Sequence, residues 1–280
     1  MRADGSVISY LEFWDDVKNF SSKLLSAGCM EGHFLLIQIE NTEDYLKLYI
    51  ACMLIGVIAC PIDPNLPKKR VASIQNEIHP SYIINNIDEF KKLKIHPSNK
   101  KYDINNETNR NCLVLFSSGT TGEPKGIVHS VNSLLTSARS FANCSGINSK
   151  TIIYHHFPMF YMAGIFNMFL CPMVQGAKIV LGKRFSAKNM LDFWELPKKH
   201  GVNNLTITPT MAIALLRIFR EDKNVTKYIK NIDSIISTGS HLYLSIFQKF
   251  FLKFSIPLQN CYGVTEVGGN IHFKIKKHQK

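Results

Sequence analysis

The chain has 280 residues, 45% of them hydrophobic, which is typical of a globular protein with one or two domains. Its 33 basic and 21 acidic residues give a formal charge of +12, a balance that suits a nucleic acid or an anionic membrane. The lysines are scattered, however, and no stretch combines a basic stripe with interleaved aromatic residues. We therefore expect no nucleic-acid partner, and salt-sensitive binding to DNA or RNA would contradict that expectation.

The cysteines and the apolar segments indicate the compartment. The seven cysteines are odd in number, form no CxxC pair and mostly have apolar neighbours, which predicts buried free thiols in a reducing compartment. The first residues lack the apolar core of a secretory signal. The longest apolar run, residues 48–62, contains Gly56 and Pro61 and is shorter than the ~20 residues that span a bilayer. We expect a cytoplasmic protein without stable membrane insertion.

The first third of the chain alternates between helix and strand patterns. Ser9 and Glu12 form a capping-box pattern at the start of the first helix, and Gly28 ends it. Asn41 can cap a second helix that ends at Gly56. The other predicted elements here are a strand His33–Ile39, a strand Val57–Cys60, a helix through Val71, Ile74 and Ile78, and a strand Tyr82–Ile84. Short buried strands separated by helices predict a parallel sheet covered by helices.

A polar stretch over residues 85–111 interrupts this pattern and is interpreted as a surface excursion or linker. Beyond it the predicted strands are Cys112–Phe116, Thr151–Tyr154, Lys178–Leu181, Leu205–Thr208 and Ser234–Ser237, and the predicted helices are Val131–Phe141, Met190–His200, Met211–Phe219 and Leu242–Phe254. We expect an α/β fold with two parallel-rich sheets flanked by helices. The predicted split lies near Asn106, giving subdomains 1–106, including the linker, and 107–280.

A segment rich in hydroxyl groups and glycine follows the predicted strand Cys112–Phe116. It reads Ser117-Ser118-Gly119-Thr120-Thr121-Gly122-Glu123-Pro124-Lys125-Gly126. Glycines let backbone N–H groups converge on an anion, while hydroxyls and a lysine add donors and charge, so the segment suits a polyphosphate. It is not a Walker loop, because Pro124, directly before Lys125, occupies the place where a glycine would be required. By composition alone it could equally be a polar surface turn.

The order of residues in this segment resembles the signature of the AMP-forming adenylating superfamily, which includes acyl-CoA synthetases, luciferases and peptide-synthetase adenylation domains. Four further segments are similar to motifs of that family in the same order: Gly56 to Pro64, Pro158 to Gly164, Ser237 to Leu242 and Asn260 to Glu266. One position departs from the pattern, since Tyr161 stands where the family usually has histidine. The resemblance runs from about Ser9 to Gly269.

The resemblance implies a phosphate site and a metal site. The residues that would surround the β- and γ-phosphates of ATP are Ser117, Ser118, Gly119, Thr120, Thr121, Gly122 and Lys125, with Thr120, Thr121 and Lys125 as the main donors. Thr265 would donate to the α-phosphate, and Glu266 would bind Mg2+, an ion that prefers oxygen ligands. The expected catalytic residues are Thr120, Lys125, Thr265 and Glu266. The alternative for Glu266 is an ordinary exposed carboxylate.

The resemblance also implies an adenine site and an acid pocket. Tyr262 would stack on the base, and the residues expected beside it are Gly239, Ser240, His241 and Gly263. Tyr161 and Gly164 would line the carboxylate pocket. The alternative for either tyrosine is ordinary packing, which is commoner for a tyrosine in general. The neighbouring pair His155 and His156 lacks metal-ligand spacing and is interpreted as structural.

By resemblance, the function is ATP-dependent activation of a carboxylic acid as its acyl-adenylate, with ATP and Mg2+ and with coenzyme A as the co-substrate. A complete family member continues past the last motif into a small mobile domain, so we expect a partial N-terminal domain whose C-terminal lid domain is absent. Two alternatives stay open: one half of a split enzyme that works with a separate C-terminal chain, and a non-catalytic nucleotide- or acyl-binding module. Neither the small carboxylic acid nor the acceptor thiol follows from the sequence.

Overall fold

The computed structural model describes residues 5–95, 109–117, 125–219, 222–267 and 269–272. The chain divides into two compact units. The first unit comprises residues 7–135 and 158–165, and the second comprises residues 1–6, 136–157 and 166–280. Each unit is built on its own sheet. Within the described part of the chain, no helix combines the length and the apolar character that crossing a membrane requires.

The first unit carries a mostly parallel sheet. Its elements are α1 (Tyr10–Ser26), β1 (Phe34–Ile37), α2 (Glu43–Ile55), β2 (Ile58–Pro61), α3 (Lys68–Ile78), β3 (Tyr82–Ile84), α4 (Ile87–Lys92), β4 (Asn111–Ser117) and β5 (Lys125–Ser130), followed by α5 (Val131–Ser145), which continues into the second unit, and later by the short α6 (Met162–Ile165). Among the described residues the strand order is β3-β1-β2-β4-β5, with only β5 antiparallel. Because β4 pairs with β2, the first sheet extends past the split predicted near Asn106.

Local signals in the sequence account for the ends of two helices. Ser9 and Glu12 form the reciprocal capping box that begins α1, as predicted. Gly56 ends α2 in the left-handed conformation with φ of 74°, which a residue without a Cβ adopts readily. Apolar residues of the sheet and of α3 then form one core cluster: Leu36, Ile58, Cys60, Ile62, Ile74, Ile78 and Val114.

Two predictions in this unit are wrong. Asn41 does not cap α2; Thr42 occupies the N-cap position, and the Asn41 side chain is engaged elsewhere in the unit. The predicted linker is not wholly irregular either, because it contains α4. The Asn86 carboxamide oxygen caps this helix by accepting from the N–H groups of Asp88 and Glu89, the kind of local signal that defines even a short polar helix.

The second unit carries the other mostly parallel sheet. Its elements after α5 are β6 (Ile152–His155), a π-helical segment (Phe166–Leu170), α7 (Cys171–Met173), β7 (Lys178–Leu181), α8 (Glu195–Lys199), β8 (Asn204–Ile207), α9 (Pro209–Ile218), α10 (Lys223–Lys230), β9 (Ser234–Ser237), α11 (Leu244–Phe254), β10 (Leu258–Val264), a 3-10 turn (Thr265–Val267) and β11 (Gly269–His272). Among the described residues the order is β11-β10-β9-β8-β6-β7, with only β11 antiparallel. The predicted α/β fold with two parallel-rich sheets is confirmed.

Pro197 explains why one helix of this unit is shorter than the sequence predicts. A helix was expected over residues 190–200, but only Glu195–Lys199 is helical. Pro197 is the third residue of α8, where its missing N–H would have no helical partner in any case. In the longer predicted helix the same proline would lie in the interior and remove a hydrogen bond. The pattern also failed to predict α10, β10 and β11, which lie in the last 60 residues.

Candidate functional site

The phosphate-binding segment predicted from the sequence connects β4 to β5. These strands form an antiparallel hairpin in which Ser117 lies opposite Lys125, and Lys125 is exposed at the start of β5. The predicted residues between them lie outside the described residues: Ser118, Gly119, Thr120, Thr121 and Gly122. The described hairpin therefore brings together the two ends of the predicted loop. The roles of the loop residues stay predictions.

The second unit brings two other predicted motifs to one edge of its sheet. The neighbouring parallel strands β9 and β10 are in a register that pairs Ser237 with Asn260. Both predicted segments follow directly after this pair. Residues 238–241 leave the sheet at the carboxyl end of β9, whereas residues 261–264 continue β10 past β9 and pair with β11 before the 3-10 turn at 265–267. This edge is where open α/β sheets bind their ligands. The tertiary structure thus unites the predicted adenine residues Gly239, Ser240, His241, Tyr262 and Gly263.

The turn after β9 needs glycine because of its backbone conformation. Gly239 has φ of 91°, a region that L side chains rarely adopt. Space is not the reason, since a Cβ at this position would lie 3.5 Å from Thr208 Cγ2, an ordinary van der Waals contact. The N–H of Thr238 donates to the carbonyl of Ile207 over 3.0 Å, so β8 holds the start of this turn. The backbone is therefore held at the residue before Gly239.

The end of β10 and the 3-10 turn after it present an aromatic ring and a carboxylate. Tyr262 is 58% exposed, and Glu266 is exposed on the 3-10 turn, while Thr265 is half-buried. An exposed ring has a free face for stacking on a base. Among the described residues, no group of three or more His, Cys, Asp or Glu side chains could hold a metal. A single carboxylate such as Glu266 fits Mg2+, because this ion is usually held by one or two carboxylates together with the phosphates of the substrate.

Two titratable groups near this edge, the Cys261 thiol and the His156 ring, are uncharged at neutral pH. Burial raises the pKa of the Cys261 thiol to about 11, although a hydrogen bond with Thr238 lowers it, so the thiolate is scarce at neutral pH. Burial also lowers the pKa of His156 to about 3, and its ring stacks on Tyr154 with centroids 4.9 Å apart. His155 is fully buried as well. The histidine pair is part of the core, in agreement with the structural interpretation.

Residues 158–165, which carry the predicted acid pocket, belong to the first unit although the chain on either side belongs to the second. Tyr161 is 47% exposed, and its carbonyl accepts from the N–H groups of Gly164 and Ile165. Gly164 is buried against the Pro158 carbonyl, where a Cβ would lie only 2.1 Å from the oxygen. The close approach of two backbone segments thus requires glycine at 164. Tyr161 directly precedes the short helix α6, and its side chain is partly exposed to solvent.

Two side chains that the sequence analysis did not assign to the site hold the segment 158–165 in place. The hydroxyl of Tyr49 donates to the Met159 carbonyl over 2.7 Å, and the Met159 N–H donates to Asn41 Oδ1 over 2.8 Å. Tyr49 and Met159 are both almost fully buried. Asn41 and Tyr49 therefore bind both polar groups of one residue. The sequence signal that could have indicated this contact is Tyr49 itself, because a tyrosine on a buried helix face needs a hydrogen-bond partner for its hydroxyl.

The whole chain, residues 1–280, matches the family model described as AMP-binding enzyme. A plipastatin synthase polypeptide of Bacillus subtilis is 24% identical over 290 residues, covering 96% of this chain and 11% of that protein. A Humulus lupulus protein described as a probable CoA ligase is 22% identical, covering 95% of this chain and 54% of its own length. The chain thus spans about half the length of that ligase.

Solved structures share the fold. ATP-bound MatB of Rhodopseudomonas palustris superposes with a TM-score of 0.78 at 19% identity, covering 95% of this chain and 56% of that one. The o-succinylbenzoate CoA synthetase of Bacillus subtilis, in complex with an acyl-adenylate intermediate, gives a TM-score of 0.81 at 20% identity over 95% and 56% of the two chains. At these identities the likeness establishes the fold. Together with the family-model match over its full length, it shows that the chain belongs to the AMP-binding enzyme family.

Proposed function

We propose that the chain binds ATP and activates a carboxylic acid as its acyl-adenylate. The observation that carries the proposal is the shared sheet edge at which Gly239 and Tyr262 follow paired residues of β9 and β10. A turn whose glycine has a positive φ and an exposed aromatic ring are the parts that a purine needs, one for close backbone approach and the other for stacking. The family membership and the ATP-bound relative support the same assignment.

The first step of the proposed reaction forms one bond and breaks one. A carboxylate oxygen of the acid attacks the α-phosphorus of ATP and forms the mixed acyl-phosphate anhydride, while the bond to the β-phosphate oxygen breaks and pyrophosphate leaves. Both reactants are anions, so the protein must neutralise charge and hold the two in line. In a second step, the sulfur of coenzyme A would attack the acyl carbon and form a thioester. The bond from the acyl carbon to the phosphate oxygen would break, AMP would leave, and the thiol proton would pass to solvent.

The chain's own residues would supply the charge and the donors. Lys125 would contribute its ammonium to the phosphates from the end of the β4–β5 hairpin, and the glycine-rich residues 118–124 would add N–H and hydroxyl donors. Thr265 would donate to the α-phosphate, and Glu266 would hold Mg2+. When bound, Mg2+ would offset the negative charge of the phosphate oxygens.

The acid would lie against the segment that Asn41 and Tyr49 hold through Met159. Tyr161 replaces the histidine usual in the family, and its half-exposed ring is available as a pocket wall. Because Gly164 allows the backbone to pack tightly on Pro158 within this segment, small changes in the segment's internal shape would be costly. We propose that this rigidity sets the shape of the acid pocket.

ATP–pyrophosphate exchange with a panel of carboxylic acids tests the proposal and identifies the acid. We expect acid-dependent exchange, and we expect Lys125→Ala and Glu266→Gln each to reduce it on the order of 100-fold, as for the loss of other groups that stabilise developing charge. Both side chains are exposed, so neither change should unfold the chain. Lys150→Ala, which removes another exposed lysine, is the matched control and should leave exchange unchanged. No exchange with any acid, with or without an added C-terminal chain, would contradict the catalytic function.

Two narrower alternatives can be separated in the same preparation. A non-catalytic nucleotide-binding module would bind Mg-ATP in calorimetry, and Lys125→Ala would abolish this binding, while exchange stayed absent. The relatives include a plipastatin synthase as well as a probable CoA ligase, so the thiol of a carrier protein is the alternative acceptor to coenzyme A. Supplying each thiol to the preformed adenylate and measuring thioester formation would distinguish the two acceptors.

A further inference from the structure

The neighbouring helices α10 and α11 are strongly basic. Their sequences, KNVTKYIK and LSIFQKFFLKF, contain five lysines and no acidic residue. Lys223, Lys227 and Lys230 recur at helical spacing on α10, and all three are exposed. Among the described residues, Asp222 stands at the start of this helix, and its carboxylate caps it by accepting from the N–H groups of Asn224 and Val225. One face of α10 therefore presents a row of positive charge.

The outer face of α11 is apolar as well as basic. Leu244 is 68% exposed and Leu252 is 81% exposed, and because they are eight residues apart they lie on one stripe of the helix, about 12 Å from end to end. Phe251 is 47% exposed on the same side. Lys249 and Lys253 form the next stripe round the helix and are also exposed. The other side of α11 is buried through Phe250 and Phe254.

The two helices form one surface. They pack beside each other, and an open groove between them is lined by four lysines, one carboxylate and three other residues: Phe219, Asp222, Lys223, Thr226, Lys227, Lys230, Asn231 and Lys253. The lysines outnumber the single carboxylate, so the groove is basic on balance. The Lys253 ammonium donates to the Phe219 carbonyl over 3.3 Å and lies 5.3 Å from the centre of the Phe219 ring, which places its charge in this groove. Across the surface, the order is the lysine row of α10, the lysine stripe of α11 and then the leucine stripe of α11. We call this surface the α10–α11 face.

We propose that the α10–α11 face docks on an anionic phospholipid membrane. Lipid headgroups supply negative charge for the five lysines, and the boundary of the acyl chains accepts the exposed leucines and Phe251. A nucleic acid would satisfy the lysines but would leave the aliphatic leucines in water. A second copy packed face to face would bring lysine rows of like charge together. The combination of charge and exposed aliphatic surface therefore favours a lipid surface. This binding needs no nucleotide and does not rest on the proposed enzymatic function.

Flotation with vesicles tests this proposal. We expect the whole chain to float with vesicles of phosphatidylcholine and phosphatidylglycerol, and not with pure phosphatidylcholine. Replacing Lys223, Lys227 and Lys230 by Gln should weaken partitioning about fivefold for each lysine, or on the order of 100-fold in total at low salt. The matched control replaces Lys68, Lys69 and Lys92, which are exposed in the first unit, and lowers the net charge equally. An equal loss in both triple variants would show attraction by net charge alone and would overturn the proposal.

A second pair of variants tests the apolar part. Leu252→Gln should reduce partitioning about tenfold, because the exposed leucine no longer gains from leaving water. Leu11→Gln changes a leucine that is 70% exposed on α1 and should have no effect. Thermal melts monitored by circular dichroism check that each variant is folded. Absence of flotation by the wild-type chain, or self-association that Leu252→Gln abolishes while flotation is unchanged, would contradict the lipid assignment.

Discussion

Removal of the Tyr49 hydroxyl should loosen the segment that carries the proposed acid pocket. In Tyr49→Phe the ring remains in the core, but the buried Met159 carbonyl loses the donor that now lies 2.7 Å away. Leaving a buried acceptor without its partner costs about 1–3 kcal/mol. Asn41→Ala should cost a similar amount, because it removes the acceptor 2.8 Å from the Met159 N–H. Since both bonds hold one residue, the double variant should lose less than the sum of the single losses by at least about 0.5 kcal/mol.

Urea unfolding monitored by fluorescence measures these losses. The chain has two tryptophans, Trp14 in the first unit and Trp194 in the second, so a Trp194→Phe background leaves a single reporter in the unit concerned. Tyr82→Phe, which changes a tyrosine on β3 of the same unit, is the matched control. A loss below about 0.3 kcal/mol for Tyr49→Phe, or strictly additive losses, would refute the reasoning. In the exchange assay the same variants should raise the KM for the acid more than the KM for ATP.

Three further outcomes follow from the geometry. Gly239→Ala should weaken ATP binding and destabilise the fold by about 1–2 kcal/mol, since its φ of 91° is unfavourable for alanine; equal Mg-ATP affinity in calorimetry would contradict this. Gly164→Ala should cost more, about 2–4 kcal/mol by urea unfolding, because its Cβ would lie 2.1 Å from the Pro158 oxygen. The pKa of His156 is about 3 when folded and near 6.5 when unfolded, so only the unfolded chain takes up this proton between those pH values. Stability should fall as the pH drops below 6.5, by at most about 1.4 kcal/mol per pH unit, and His156→Phe should flatten that slope.

Much of the architecture follows from local patterns in the chain. The capping box at Ser9 and the glycine at 56 mark helix ends by chemistry that needs no distant partner. The short apolar runs predict buried parallel strands because both faces of such a sheet are covered. The order of the motifs was enough to indicate the family, since the spacing of loop residues after strands is a property of the sequence itself. Elements with weak apolar signals, such as the largely polar α10, escaped prediction.

Only the tertiary structure decided which distant residues meet. Asn41 resembles a helix cap in sequence, yet its carboxamide binds Met159, 118 residues further along the chain. Residues 158–165 fold with the first unit, where the long-range hydrogen bonds from Asn41 and Tyr49 to Met159 hold them, and no local preference encodes such a choice. Likewise, the pairing of Ser237 with Asn260, which brings the predicted adenine residues to one edge, depends on strand order. Local chemistry determines the elements, whereas burial and hydrogen bonding across the whole chain determine the site.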